Sequence, residues 1–259
     1  MGRIDVSTDT RGVTRIALDR PERHNALDRA LIDQLRHALD GLGSDTRVLV
    51  LEGRGKSFCA GADIDWMRAS VDLTPEQNTL DAMALSDLLE RLDTFPCPTL
   101  ARVHGAAIGG GAGLVACCDI ALAGERARFA FSEVRLGLIP ATISPYVVRA
   151  IGPRAARLYF LTAERFDAHE AYRIGLVQDV CPSTDLDRRL GERIDALLDG
   201  GREAQATSKR LIGDVAARPL DETLRRDLAD RLADIRAGEE AQNRLRAFFE
   251  ERVPRRRDS

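Results

Sequence analysis

Three consecutive glycines and one glutamate carry the chemistry that this sequence suggests. Gly109, Gly110, Gly111 and Glu133 fall within one stretch, His104 to Pro140, which reads HGAAIGGGAGLVACCDIALAGERARFAFSEVRLGLIP. The glycines follow a strand-like run, Thr99 to Val103, and precede an apolar helical run. That order predicts a side-chain-free turn at a helix N-terminus, where unpaired backbone N–H groups can hold a developing negative charge. Phe129, Phe131 and Glu133 alternate, so on a strand they would share a face and set the carboxylate among aromatic rings. Desolvation of that kind makes a carboxylate basic enough to move protons. Arg135, close by in the sequence, supports the competing reading of a structural Glu133–Arg135 ion pair.

A second backbone loop is needed to complete such a site. Val48 to Leu51 is a continuous apolar run that fits a fully buried parallel strand, and it leads into EGRGKSFCAGADIDW. Ala60, Gly61 and Ala62 in that loop let backbone approach a ligand closely, or form an ordinary glycine-containing turn. The loop lacks the GxxxxGK[ST] spacing of a phosphate-cradling P-loop. Loops that follow successive buried strands converge at one edge of a parallel sheet, so two N–H groups could meet one oxygen. In other oxyanion holes each such donor contributes about 3–4 kcal/mol.

The remaining elements are those that must position these loops. Ile4–Ser7 and Val13–Ala17 read as a hairpin, and Asp28 caps a helix with Leu31, Leu35, Ala38 and Leu42 on one face. The loop between them, Arg20 to Asn25, reads as cationic, polar and exposed. Thr74, Pro75 and Gln77 form a helix start with a capping box, and Leu85, Leu88, Leu89 and Leu92 give that helix a core face. Short helices and glycine turns follow, closing on a strand at Leu176 to Val180, and from Leu186 the pattern is helical only. Gly200–Gly201 marks the expected division between a mixed core, residues 1–200, and a helical region, residues 201–259, and VPRRRDS reads as a frayed tail.

Composition narrows the function classes. At 259 residues, with 44% hydrophobic and 31% charged residues, the chain can bury a sizeable core. A net charge of −3 provides no global attraction to nucleic acid or an anionic membrane. The first long helix has no lysine row, which disfavours an RNA-binding scaffold. No basic start precedes a long apolar run and no apolar segment is long enough to span a membrane, so a cytoplasmic location is expected. Five cysteines without CxxC spacing and four scattered histidines fit buried thiols rather than a disulfide framework or a metal site.

Five segments, RPERHNAL, SFCAGADI, VHGAAIGGGAGLVACCDIALA, FAFSEVRLGLIP and EAYRIGLVQDV, occur in an order and at spacings that resemble the enoyl-CoA hydratase/isomerase (crotonase) family. The resemblance runs from about residue 5 to residue 252. It implies an α/β fold with a repeated ββα spiral core and a C-terminal helical trimerisation region. It also implies an acyl-CoA thioester substrate, no separate cofactor since CoA belongs to the substrate, and a homotrimer or dimer of trimers. Carried onto this sequence, it assigns the oxyanion hole to the N–H groups of Ala62 and Gly110 and acid/base work to Glu133. Ala60, Asp63 and Ile64 fall at positions lining the adenine part of CoA, Arg23 lies near the phosphates, and Gly109 and Gly113 join the substrate site.

One departure bears on the reaction. Gly113 stands where hydratases of the family carry the first of two glutamates. Hydration needs a base for water and an acid for C2, whereas moving a double bond from C3=C4 to C2=C3 needs one group that relays a proton. A single glutamate therefore favours an isomerase. Against that, GAGLVACCDIALA with SEVRLGLIPATISPYVV resembles a hydratase branch acting on branched, carboxylated substrates such as 3-methylglutaconyl-CoA. Ser144 and Tyr146 could face the acyl chain or serve as cap and core residues. Arg135 or Arg149 could meet a second substrate carboxylate.

Overall fold

The first strand pair is the expected antiparallel hairpin, Ile4–Thr8 (β1) and Val13–Leu18 (β2), with Val6 opposite Ile16. The structure is a computed structural model and describes residues 4–252, so the VPRRRDS tail lies outside the described residues. Helix α1, Arg29–Gly41, starts where the Asp28 carboxylate accepts the Leu31 N–H at 2.9 Å, and it buries Leu31, Ile32, Leu35 and Leu39. Strand β3, Val48–Gly53, is buried along its whole length and lies parallel between β2 and β4. It extends past the apolar run to include Glu52, which Arg15 reaches at 3.0 Å.

Helix α2 spans Ile64–Ala69 and α3 spans Pro75–Asp93, the latter opened by the Thr74–Gln77 capping box read from the sequence. Then come β4 (Thr99–Val103), β5 (Ala106–Ile108) and α4 (Gly110–Cys117), followed by β6 (Ile120–Gly124), β7 (Arg128–Ala130) and α5 (Ser144–Thr162). Two strands followed by a helix recur along this order, as in β1–β2–α1, β4–β5–α4 and β6–β7–α5. After β8 (Phe166–Asp167), α6 (Ala168–Arg173) and β9 (Asp179–Cys181), α7 spans Leu186–Leu198. The strands form a six-stranded sheet, β1-β2-β3-β4-β6-β9, and a three-stranded sheet, β5-β7-β8, and the β4–β5 and β6–β7 pairs each contribute one strand to both. This is the mixed α/β, crotonase-like architecture that the resemblance implies.

Three local expectations are corrected by packing. The strand expected through Glu133 ends at Ala130, and Glu133–Leu136 is a 3-10 turn. Phe129 and Phe131 therefore point into a buried aromatic cluster with Phe166 and Phe160, at ring distances of 5.7 and 5.0 Å, without Glu133 beside them. The last strand of the large sheet begins at Asp179 rather than Leu176, because Leu176 and Val177 are buried in the core and turn the chain. The Arg20–Asn25 loop is exposed only in part, since Arg20 and Asn25 are buried.

From Ala196 the chain forms a second compact unit, dividing within the last turns of α7, shortly before the Gly200–Gly201 pair. It holds α8 (Arg202–Ala217), α9 (Glu222–Ala237) and α10 (Glu239–Arg252). Leu232, Leu245, Phe248 and Phe249 remain exposed there. No helix among the described residues is long and apolar enough to cross a membrane.

Asn25 explains why the first loop is rigid. Its backbone sits in the left-handed region at φ 58°, which asparagine tolerates better than most residues. Its Nδ2 donates to the carbonyls of Arg54, Ser57 and Phe58, and its Oδ1 accepts the Arg20 N–H at 2.9 Å. One side chain thus ties the loop before α1 to the loop after β3. Asn25→Ala should lower the unfolding free energy by about 2–4 kcal/mol, through stranded buried partners and backbone strain. A urea midpoint that falls at constant m-value would verify this, and an unchanged midpoint would contradict it.

Candidate active site

The loops that follow the adjacent parallel strands β3 and β4 are knitted together by backbone bonds. Phe58 N–H donates to the His104 carbonyl at 2.8 Å, Cys59 N–H to that of Ala106 at 3.0 Å, and Ile108 N–H back to that of Cys59 at 3.0 Å. On its other side the β3 loop is clamped by Leu27, whose N–H donates to the Gly61 carbonyl and whose carbonyl accepts from Asp63 N–H, both at 2.7 Å. Ala62 lies between these bonds, and its own N–H has no acceptor among the described residues. Gly110 opens α4, so its N–H likewise lacks an intrahelical partner. Ala62 and Gly110 border one cavity of about 210 Å³.

Glu133 borders the same cavity from the third side. A Cβ at Gly109 would stand 3.0 Å from Glu133 Oε1, and Gly109 adopts φ 50°, ψ −118°, a conformation that a side chain would strain. Glycine is therefore required there to bring the carboxylate against the start of α4. Glu133 Oε2 is buried with no hydrogen-bond partner. Burial raises the pKa of this carboxyl above its usual 4.5, offset in part by a bond from its own backbone N–H. The Glu133–Arg135 ion pair is absent among the described residues, and Arg135 is exposed. Desolvation thus comes from the cavity wall and the α4 backbone rather than from the aromatic strand-mates expected from alternation.

The other residues singled out from the sequence divide between lining and support. Ala60 and Gly109 line the cavity. Asp63 does not; it caps α2 and meets Arg20 at 3.1 Å, while Arg20 also reaches Asp28 at 3.1 Å. Burial pushes the Asp63 pKa up, but bonds from the Asp65 and Trp66 N–H groups and the Arg20 guanidinium outweigh it and hold it below its ordinary value. Ile64 is 66% exposed and lies off the cavity. Arg23 borders a separate groove with Arg20 and Asp65 and pairs with Asp65 at 3.0 Å.

Gly113 is not among the residues bordering the cavity, and Ile143 covers it. Ser144 and Tyr146 are also off the cavity; Ser144 Oγ donates to the Ala141 carbonyl at 2.8 Å, and burial pushes the Tyr146 hydroxyl up to about 12. Arg149 pairs with Asp93. Sequence reasoning missed Trp66, Met67, Thr142 and Ile143 as lining residues, while Leu85, read as core, packs against the core and also borders the cavity. Only the helical stripe containing Leu85 offered a signal, and a stripe does not distinguish core from pocket.

Two unpaired N–H donors and a carboxylate with one unpartnered oxygen beside an apolar space can stabilise an oxyanion and move a proton beside it. The family model described as Enoyl-CoA hydratase/isomerase matches residues 8–258. The chain belongs to this family. An enoyl-CoA hydratase from Shewanella pealeana has the same fold with a TM-score of 0.93 at 43% identity, over 98% of this chain and 96% of that one. One from Mycobacterium smegmatis gives 0.92 at 32% identity over 98% of both chains. The 2,3-dehydroadipyl-CoA hydratase of Escherichia coli is 38% identical over 186 residues, 71% of each protein.

For an enoyl-CoA hydratase/isomerase family member, the buried Glu133 carboxyl makes a definite pH prediction. Only its ionised form can accept a proton, so kcat/KM is expected to fall as pH drops through a Glu133 pKa raised above 4.5. Glu133→Gln should lower kcat/KM about 10²–10⁴-fold and remove that acid limb. A pKa raised on folding means that the side chain stabilises the fold below its unfolded pKa and loses that contribution as pH rises through the folded one. Glu133→Gln should therefore leave Tm at pH 7 unchanged or raised. A pH–rate profile unchanged by the substitution would remove Glu133 from the chemistry.

Proposed function

We propose that the chain hydrates a short or branched 2-enoyl-CoA, with Glu133 as its acid/base group. The observation that carries this reading is the Glu133 carboxylate, its Oε2 buried without a partner, on one cavity with the free N–H groups of Ala62 and Gly110. The thioester oxygen accepts from both N–H groups. Glu133 takes a proton from water, the hydroxide forms its bond to C3, and the C2=C3 electron pair moves to the thioester as an enolate. Glu133 then returns the proton to C2 as the enolate collapses, so one carboxyl serves both half-steps. No cofactor is required beyond the CoA of the substrate. Ala60, Asp63 and Ile64 lie toward the adenine part of CoA, and the exposed Arg23 lies near its phosphates.

The cavity lining among the described residues contains no cation. An uncharged acyl chain therefore fits this chain's own surface better than the second carboxylate of 3-methylglutaconyl-CoA. A second reading, isomerisation of a 3-enoyl-CoA to a 2-enoyl-CoA, is favoured by the covered Gly113, since Glu133 is the only carboxyl on the described lining. There Glu133 would take a proton from C2 and deliver it to C4. Incubating the protein with crotonyl-CoA and with a 3-enoyl-CoA should yield, from the first, a product heavier by one water. Isomerisation of the second at unchanged mass, with no hydration of the first, would reverse the assignment.

The same reading includes a homotrimer or dimer of trimers, supported by the apolar side chains that α9 and α10 leave exposed. Light scattering should return a trimeric or hexameric mass, and a stable monomer would contradict it.

A further inference from the structure

We propose that Ile143 sets how far an acyl chain can run into the cavity, and that Gly113 is the small residue that lets it stand there. The proposal rests on the acyl-CoA reading above and adds to it a residue that determines chain length. Ile143 immediately precedes α5, borders the cavity and is 1% exposed, so its side chain is enclosed between the cavity and α4. A Cβ at Gly113 would stand 2.3 Å from Ile143 Cγ2 and 2.9 Å from Ile143 Cβ, with Leu89 Cδ2 behind at 3.8 Å.

The close approach to the Ile143 Cβ matters most, because a Cβ moves only with its backbone. A rotamer change cannot relieve that contact, and a β-branched side chain has few rotamers to offer. Any side chain at position 113 must therefore displace Ile143, and Ile143 in turn closes off the volume over Gly113. This pairing also accounts for the absence of a second carboxyl: the space that it would need is filled by a hydrocarbon wall.

The geometry fixes a length as well as a volume. Gly110, which borders the cavity, and Gly113 lie on the same helix, about 4.5 Å apart along its axis. The wall over Gly113 thus stands one helical turn from the point that would hold the thioester oxygen, and α4 is buried at Gly111 to Val115, so that spacing is rigid. Truncating Ile143 joins the volume over Gly113 to the cavity without touching Glu133 or the N–H donors.

The test uses the full chain and two readouts. Dissociation constants for saturated acyl-CoAs of increasing length would be compared with kcat/KM for the matching 2-enoyl-CoAs, in the parent, Ile143→Ala and Ile143→Val. The ratio of longer-chain to shorter-chain binding should rise about 10–100-fold in Ile143→Ala, and by less in the same direction in Ile143→Val. Gly113→Ala should lower Tm, and combining it with Ile143→Ala should recover part of the loss, as expected for residues in direct contact. If Ile143→Ala fails to fold, Ile143→Val carries the measurement. An unchanged length profile in a folded variant that still binds acyl-CoA would overturn this proposal and leave the acyl-CoA reading standing. Failure of the parent to bind any acyl-CoA would overturn both.

Discussion

The bonds that join the loop after β3 to the loop after β4 are the constraint on which the rest of the site depends. Parallel strands end at a common edge, and here the two loops leave that edge already paired, Phe58 to His104 and Cys59 to Ala106 and Ile108. Leu27 then pairs with the Gly61 carbonyl and the Asp63 N–H on either side of Ala62. The consequence is an N–H held in place with nothing to donate to. Such a group is costly to bury unless a ligand oxygen completes it, and it costs no reorganisation when that oxygen arrives.

Around this frame, charged groups are used in two different ways. Arg20, Asp28 and Asp63 form a buried cluster in which each carboxylate is paired, and its role is to anchor α1 and α2 against the β3 loop. Glu133 is placed with the opposite logic, one oxygen buried and unpartnered against an apolar wall. The Asp63 carboxylate is held in the ionised form, whereas that of Glu133 gains proton affinity. The Glu133 arrangement costs stability, and the paired cluster and the Asn25 bonds nearby give the scaffold the rigidity to tolerate it.

The cavity is walled by hydrocarbon rather than charge. The lining is built from Leu27, Trp66, Met67, Leu85, Leu138 and Ile143, and it carries Ser132 and Thr142 as its hydroxyls. A lining of that composition orders an acyl chain by shape, and the 3-10 turn that presents Glu133 continues directly into Leu136, which forms part of the same wall. The buried carboxyl and part of the apolar wall therefore share one short segment.

Much of this was legible in the amino-acid order. The hairpin, the Asp28 and Thr74 caps, the buried β3 strand and the glycine turn at the start of α4 all depend on contacts within a few residues, and local spacing specifies those. The two converging loops also followed, because consecutive buried parallel strands must place them together. Three features were decided only by tertiary packing. Glu133 left the strand that its alternation predicted, because β7 ends at Ala130 and the chain turns there to cross the mouth of α4. Arg20 and Asn25 were buried by partners more than 25 residues away in sequence, Asp63 and the Arg54–Phe58 carbonyls. Ile143 came to rest on Gly113, a contact between two segments whose local sequences do not refer to each other. Local hydrogen bonding and periodicity are written in neighbouring residues, whereas desolvation and shape depend on which distant side chains fill the remaining space.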